Sequence, residues 1–314
     1  MATADCGRLP GRQPPPATVW ILPSNSRATG SARALPAEVA AFQGSLIVID
    51  SSTLSPVLGL AQPDESGGAS RIAVVTTFDG NRYHPEGIRA LTEDVAVSGA
   101  FASRVATAVA QRGNGMFVDF QGSTPDELIG STSILRAIGD SARARGILPI
   151  GVIVPPGDTI GYPTAILARS FDLIVVRLHG EHRNGTSPGA LLSPEWMTRQ
   201  IGMRASEIGI NRIVAELPLF GYKWDRAGVA TQIAFADAQA LVRSEAGVFT
   251  RDPASGSLTA SSVRNGWTIW IQDATTLERL VALARRAGVR RFALLGPEGA
   301  DPDIWVRLPA ALKQ

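Results

Sequence analysis

Cysteine is almost absent from this chain. Cys6 is the only one in 314 residues, which excludes an intrachain disulfide and a multi-cysteine metal centre. Histidine is nearly as scarce. His84, His179 and His182 are the only three, and none is spaced as His-x-x-x-His, so no metal site is expected. Charged residues make up 18% of the chain, and 30 Lys+Arg against 28 Asp+Glu leave a net charge of +2. The arginines are scattered. The short runs at Arg143 and Arg145, and from Arg285 to Arg291, suit solvated helix ends, so no nucleic-acid footprint is expected. No run of about 18 or more apolar residues occurs, so no membrane span is expected. Residues 1–16, rich in Gly, Pro and Arg, lack the basic-then-apolar order of a signal peptide and read as a disordered tail or linker. No phosphate-binding glycine pattern is present. Gly185 and Gly189 read as loop formers, and no cofactor is implied.

What remains is an ordinary globular composition, 45% hydrophobic, in a chain long enough for one barrel of about 250 residues. Eight short apolar, β-prone segments recur along it: 17–23, 45–50, 71–77, 115–120, 148–154, 172–178, 212–217 and 291–295. Amphipathic helical patterns lie between them. The clearest are 124–145, with Leu128, Ile134, Leu135 and Ile138 on one stripe, and 275–287, with Leu277, Leu280, Val281 and Leu283. Continuous apolar strands between such helices imply parallel strands covered on both faces. Eight units predict a (β/α)8 TIM barrel over residues 17–314, with an open doubly wound sheet as the alternative.

The interval between the seventh and eighth strands is too long for a loop. Residues 222–271 hold a helical piece at 235–243, strand-like pieces at 247–250 and 267–271, and a turn-rich stretch at 252–257. This predicts a small α+β insertion on one face of the barrel.

The fourth strand carries the chemistry. Gly115-Met116-Phe117-Val118-Asp119-Phe120-Gln121-Gly122 is an apolar strand that ends in a carboxylate and an amide just before a helix. A β/α barrel presents its active site at such strand ends. The segment resembles the signature strand of glycoside hydrolase family 18, the chitinase-like enzymes, Asp-x-x-Asp-x-Asp-x-Glu. The four positions are here Asn114, Phe117, Asp119 and Gln121. Further similarity lies in Phe78-Asp79-Gly80 with Tyr83, His84 and Asp94, in Leu217 to Trp224, in Ile269 to Asp273 and in Asp301 to Trp305. The order and spacing of these patches are closest to the bacterial branch related to spore-germination proteins. Chitinase-like modules fused to polysaccharide deacetylases or glycosyltransferases belong to the same branch.

The resemblance implies a substrate-assisted reaction, in which the final Glu protonates the glycosidic oxygen while the sugar's acetamido oxygen attacks the anomeric carbon. It implies that Asp119 steadies that acetamido group. Gln121 stands at the acid position. It can hydrogen-bond an oxygen but carries no acidic proton, so hydrolysis is expected to be lost. The family's Met-x-Tyr-Asp on the sixth strand is here Arg177-Leu178-His179-Gly180, and its closing Trp falls at Ala293 or Leu294. Several altered positions point to an active site that has degenerated.

Each polar candidate has a plainer alternative. Asp119 could cap the next helix, and Gln121 could be a satisfied polar residue of the barrel mouth. His179 reads as structural, and Ser123 and Ser131 lack triad partners. Tyr222 and Trp224 are candidate sugar-stacking residues, with packing at the insertion hinge as the alternative. Arg177 and Glu216 are anomalous for the family and fall on neighbouring strands. A buried guanidinium without a partner is costly, so the two are expected to pair, with Asp119 sharing the charge. The alternative places Arg177 toward solvent.

The expected function is a non-hydrolytic chitinase-like module that binds an N-acetylglucosamine-type polysaccharide or serves a structural role. By family resemblance it would sit at the cell envelope or be secreted, within a larger fusion or complex. The alternative is an active glycosidase whose acid has moved to Glu216 or Glu181.

Overall fold

The structure is a computed structural model and describes residues 17–23, 40–50, 55–58, 71–79, 82–92, 94–111, 113–121 and 125–313. The expected tail 1–16 and Ser123 lie outside these, and so does the side chain of Leu128.

Eight parallel strands close on themselves. In chain order the strands are β1 (Thr18–Leu22), β2 (Ala40–Asp50), β3 (Ser55–Leu58), β4 (Arg71–Thr76), β5 (Gly115–Asp119), β6 (Ile150–Val154), β7 (Leu173–Arg177) and β8 (Ile213–Pro218). They continue as β9 (Gly221–Trp224), β10 (Ala230–Ile233), β11 (Thr250–Arg251), β12 (Leu258–Ser262), β13 (Trp267–Ile271) and β14 (Arg291–Leu295). The spatial order is β1-β14-β8-β7-β6-β5-β4-β2, and β1 pairs back onto β2. That last parallel pair turns an open sheet into a barrel. β3 folds antiparallel onto β2 outside the ring. All eight segments expected from the sequence are barrel strands.

The helices are α1 (Pro85–Ala90), α2 (Val95–Ala110), α3 (Pro125–Ala144), α4 (Thr164–Leu167), α5 (Pro194–Ile208), α6 (Phe235–Ser244), α7 (Ala274–Arg286) and α8 (Ile304–Lys313). Their starts follow the sequence. Asp94 accepts from the backbone N–H of Ala96 and Val97 at the head of α2, and Asp273 from that of Thr276 at the head of α7. Ser193 does the same for Trp196, with Pro194 opening α5. Such caps satisfy backbone donors that the helix leaves open.

Strand parity sorts each barrel strand into two faces. One set, including Val118, Val152, Val176 and Ala215, packs under the helices. The other fills the barrel: Trp20, Ile72, Phe117, Leu173, Val214 and Ala293 form a separate buried cluster, and Trp20 meets Phe117 edge-on at 5.3 Å. Gly151 makes room for that ring. A Cβ there would lie 2.6 Å from Phe117.

The insertion follows β8. Its sheet runs β10-β9-β13-β12-β11, entirely antiparallel, and α6 covers it with a core of its own that includes Phe235, Val242, Trp267 and Ile269. The sequence expectation of a strand at 247–250 is corrected: only Thr250–Arg251 pairs. β9, β10 and β12 were not foreseen. β9 and β12 pair with the apolar β13, and the largely exposed β10 pairs in turn with β9.

Candidate functional site

Continuing the inward parity to the C-terminal ends of the strands reaches the polar residues. Above the apolar plug, β4 ends in Thr76, β5 in Asp119, β7 in Arg177, and β8 brings Glu216. Together with Ile153 and Leu295 they floor a cavity of about 180 Å³. Its wall comes from Phe78 and Tyr83 after β4, and its roof from Phe220, Tyr222 and Gln232 of the insertion and the stretch leading to it.

Arg177 organises the floor. Its Nε donates to Glu216 Oε1 at 2.7 Å, its Nη2 to Asp119 Oδ2 at 2.9 Å and its Nη1 to the Tyr83 hydroxyl at 2.6 Å. Tyr83 in turn donates to Asp119 Oδ2 at 2.9 Å. Arg177 and Glu216 stand opposite each other in the β7–β8 register, so the pair anticipated from the sequence is present and buried, and Asp119 shares it. Three polar atoms here have no protein partner: Asp119 Oδ1, Glu216 Oε2 and His179 Nε2.

Tyr83 reaches this cluster because its loop doubles back. Phe78 and Tyr83 form an antiparallel bridge, His84 N–H donates to the Thr77 carbonyl, and Asp79 N–H to that of Arg82. On the outside, His84 lies 2.8 Å from both Asp79 and Glu86, and these carboxylates hold its imidazole above the usual histidine range.

The electrostatics follow from burial and neighbours. Burial opposes the Arg177 charge, but the Asp119 and Glu216 carboxylates hold the guanidinium protonated. Burial raises Glu216; Arg177 opposes the rise and Asp119 adds to it. Burial pushes His179 down to about 3, and the Arg177 charge pushes the same way, so its ring is neutral at physiological pH. Burial lifts Tyr83 well above the tyrosine range, which keeps its hydroxyl a donor.

The structure separates the sequence candidates. Asp119, Arg177, His179, Glu216 and Tyr222 line the cavity. Gln121 shares the parity of Asp119 but leaves the strand end sideways. Its Nε2 donates to the Ile153 carbonyl at 3.0 Å, and the residue is not part of the lining. Trp224, read as a stacking residue, is corrected: it is 1% exposed, lies off the cavity and meets Tyr222 edge-on at 5.8 Å. Glu181 also lies off the cavity, with its carboxylate on the Ser193 N–H and hydroxyl. Tyr83, Phe78, Phe220 and Gln232 were not singled out from the sequence as site residues. Parity from Ile72 would have found Thr76, but a folded-back loop has no period to read. Among the described residues no group of His, Cys, Asp and Glu could hold a metal ion, and no helix is long and apolar enough to cross a membrane.

Solved structures superpose on this architecture along nearly its whole length. A chitinase from Chromobacterium violaceum matches 95% of this chain and 99% of its own, with a TM-score of 0.77 at 18% identity. The barrel has the chitinase fold. A class V chitinase from Pseudomonas fluorescens matches the same shares with a TM-score of 0.80 at 16% identity. A plant class V chitinase mutant from Cycas revoluta, solved in complex with (GlcNAc)3, matches 95% of this chain and 98% of its own with a TM-score of 0.67 at 15% identity. By sequence, the Bacillus subtilis protein described as uncharacterized glycosylase YvbX is 22% identical over 196 residues. That match spans 57% of each chain, little more than half the length of the relative. No family model matches the chain. In this chitinase-like barrel the polar cluster occupies the strand ends at which β/α barrels carry their sites.

Proposed function

We propose that this chain is a carbohydrate-binding module of the glycoside hydrolase family 18 type that takes an N-acetylglucosamine-type polysaccharide and does not hydrolyse it at an enzyme's rate. One observation carries the reading. The position of the family's acid holds Gln121, whose amide is committed to the Ile153 carbonyl and lies off the cavity. The loss of a general acid costs about 100- to 10,000-fold. Arg177 reinforces the point by binding the one signature carboxylate, Asp119, through Nη2. The cavity still offers what a sugar needs. The aromatic side chains of Phe78, Tyr83, Phe220 and Tyr222 line it beside buried hydrogen-bonding groups. Such a mixture of apolar wall and few fixed polar groups is the usual form of a small-ligand site.

A second reading keeps hydrolysis and gives the acid role to Glu216. Its carboxyl is pushed up by burial, and Oε2 has no protein partner. Against this, Oε1 is held by Arg177 at 2.7 Å, which favours the ionised form. Titration of chitooligosaccharides by calorimetry, with product analysis of the same mixtures, separates the two. Saturable binding without cleavage is expected. Turnover abolished by Glu216→Gln would favour the second reading, and absence of any binding would overturn both.

A further inference from the structure

The polar groups on the cavity floor are turned toward one another. Arg177 donates to Glu216, Asp119 and Tyr83, and the Tyr83 hydroxyl donates to Asp119. Thr76 Oγ1 accepts from the Phe78 N–H at 3.0 Å. The carboxylate oxygens left over, Asp119 Oδ1 and Glu216 Oε2, are sealed inside the protein, as is His179 Nε2. These atoms do not open onto the cavity, so a ligand there cannot be read by them. The roof is different. Gln232 and Tyr222 stand opposite each other in the β9–β10 register, and residues directly opposite in an antiparallel pair leave the sheet on the same face. Both line the cavity. β10 is an edge strand of the insertion sheet, and Gln232 on it is exposed. Neither the Gln232 amide nor the Tyr222 hydroxyl bonds to another described residue, and neither is among the sealed polar atoms.

We infer that Gln232 and Tyr222 carry the polar recognition of the sugar, so that this chain reads its ligand from the insertion rather than from the strand ends of the barrel. An amide offers two donors and an acceptor, and a phenol hydroxyl both donates and accepts. That set is uncharged and two-sided, and it matches neighbouring hydroxyls of a neutral sugar ring, each of which also donates and accepts. It gives an ionic ligand no opposite charge. Tyr222 is held in place for this task. Its ring meets Phe220 edge-on at 6.0 Å on one side and Trp224 at 5.8 Å on the other. Burial raises the Tyr222 pKa above the tyrosine range, so the hydroxyl keeps its proton and remains a donor. Phe78 and Phe220 line the cavity beside the pair and supply apolar contact for the ring. The volume, about 180 Å³, is below the roughly 300–1,000 Å³ of sites that enclose drug-sized ligands. It fits one sugar unit, with the rest of the polymer outside.

This inference rests on the carbohydrate reading above and narrows it. The test titrates the N-acetylglucosamine trimer into the parent and three variants by calorimetry. Gln232→Met keeps the length of the side chain and removes its polar atoms, and Tyr222→Phe removes one oxygen. Each is expected to weaken binding by about three- to tenfold, the net worth of a neutral hydrogen bond. Thr231→Ala is the control. Thr231 neighbours Gln232 on the same exposed strand but leaves it on the other face, bonds to the Lys223 carbonyl and does not line the cavity, so its loss should leave the affinity unchanged. A parent that binds while Gln232→Met or Tyr222→Phe binds as tightly would overturn the inference and leave the carbohydrate reading standing. An equal loss in Thr231→Ala would do the same, since the strand and not the amide would then be responsible. A parent that binds no trimer would overturn both. Folding of each variant is checked by circular dichroism. Should Gln232→Met fail to fold, Tyr222→Phe decides by the same criterion.

Discussion

Arg177 and Glu216 face each other across the β7–β8 ladder, and the Nε of one donates to Oε1 of the other at 2.7 Å inside the barrel mouth. Each is anomalous for the family that the sequence resembles, and each makes the other tolerable. A guanidinium this deep needs carboxylates, and a fully buried carboxylate needs a cation.

The pair should therefore behave as a unit. Glu216→Ala is expected to lower the free energy of unfolding by about 3–5 kcal/mol, because it strands part of a buried charge. Asp119 remains to hold Nη2, which favours the lower end of that range. The double replacement Arg177→Met with Glu216→Gly should cost less than the sum of the single changes. Denaturant unfolding of the four proteins measures the coupling, and strictly additive losses would contradict it.

Tyr83 is the hinge of the cluster, donating to Asp119 and accepting from Arg177 with one hydroxyl. Tyr83→Phe keeps the ring against Phe78, 4.9 Å away between centroids, and deletes only those two bonds. Stability is expected to fall by about 1–3 kcal/mol. A variant as stable as the parent would show that the hydroxyl is replaced by solvent without cost.

Restoring the missing acid should not restore an enzyme. Gln121→Glu puts a carboxyl where the side chain now hydrogen-bonds the Ile153 carbonyl, away from the cavity lining. Chitooligosaccharide turnover is expected to rise by less than about tenfold, against the roughly 100- to 10,000-fold that a positioned general acid supplies. Full recovery in a reducing-sugar assay would mean that the remainder of the hydrolytic site is intact and only the acid was lost.

His179 should make the fold acid-sensitive. Its folded pKa is depressed from 6.5 to about 3 by burial and the Arg177 charge. The unfolded chain thus takes up a proton that the folded one refuses. Stability from this group is fully present above pH 6.5 and declines as pH falls toward 3. Glu216, whose pKa is raised by burial, works the other way: its contribution is present below its ordinary value of 4.5 and is lost as pH rises above that. Comparing the parent with His179→Asn isolates the histidine. Between pH 6.5 and about pH 4 the parent should lose on the order of 3 kcal/mol more than the variant. Parallel pH profiles would refute the assignment.

The sequence by itself determined the eight-fold alternation of strand and helix, while closure rests on the parallel pairing of β1 with β2. Eight apolar, β-prone segments with helical patterns between them leave few ways to bury both faces of every strand, and each became a strand near the expected bounds except the second, which starts at Ala40 rather than Ser45. Alternation along a strand is local geometry, so the inward placement of Asp119, Arg177 and Glu216 was also legible, and with it their pairing. What the tertiary structure alone decided was the membership of the site. The direction in which Gln121 leaves its strand depends on a carbonyl that β6 presents beside it. The return of Tyr83 to the cluster depends on a loop pinned by backbone bonds that no periodicity announces. Trp224 and Tyr222 lie two residues apart on one strand, yet one is sealed off the cavity and the other roofs it, because the pairing of β9 with β13 and β10 sets where each ring can go. Local sequence fixes which face a side chain leaves from. Which groups then meet depends on neighbours distant in the chain, and closure of the ring supplies them.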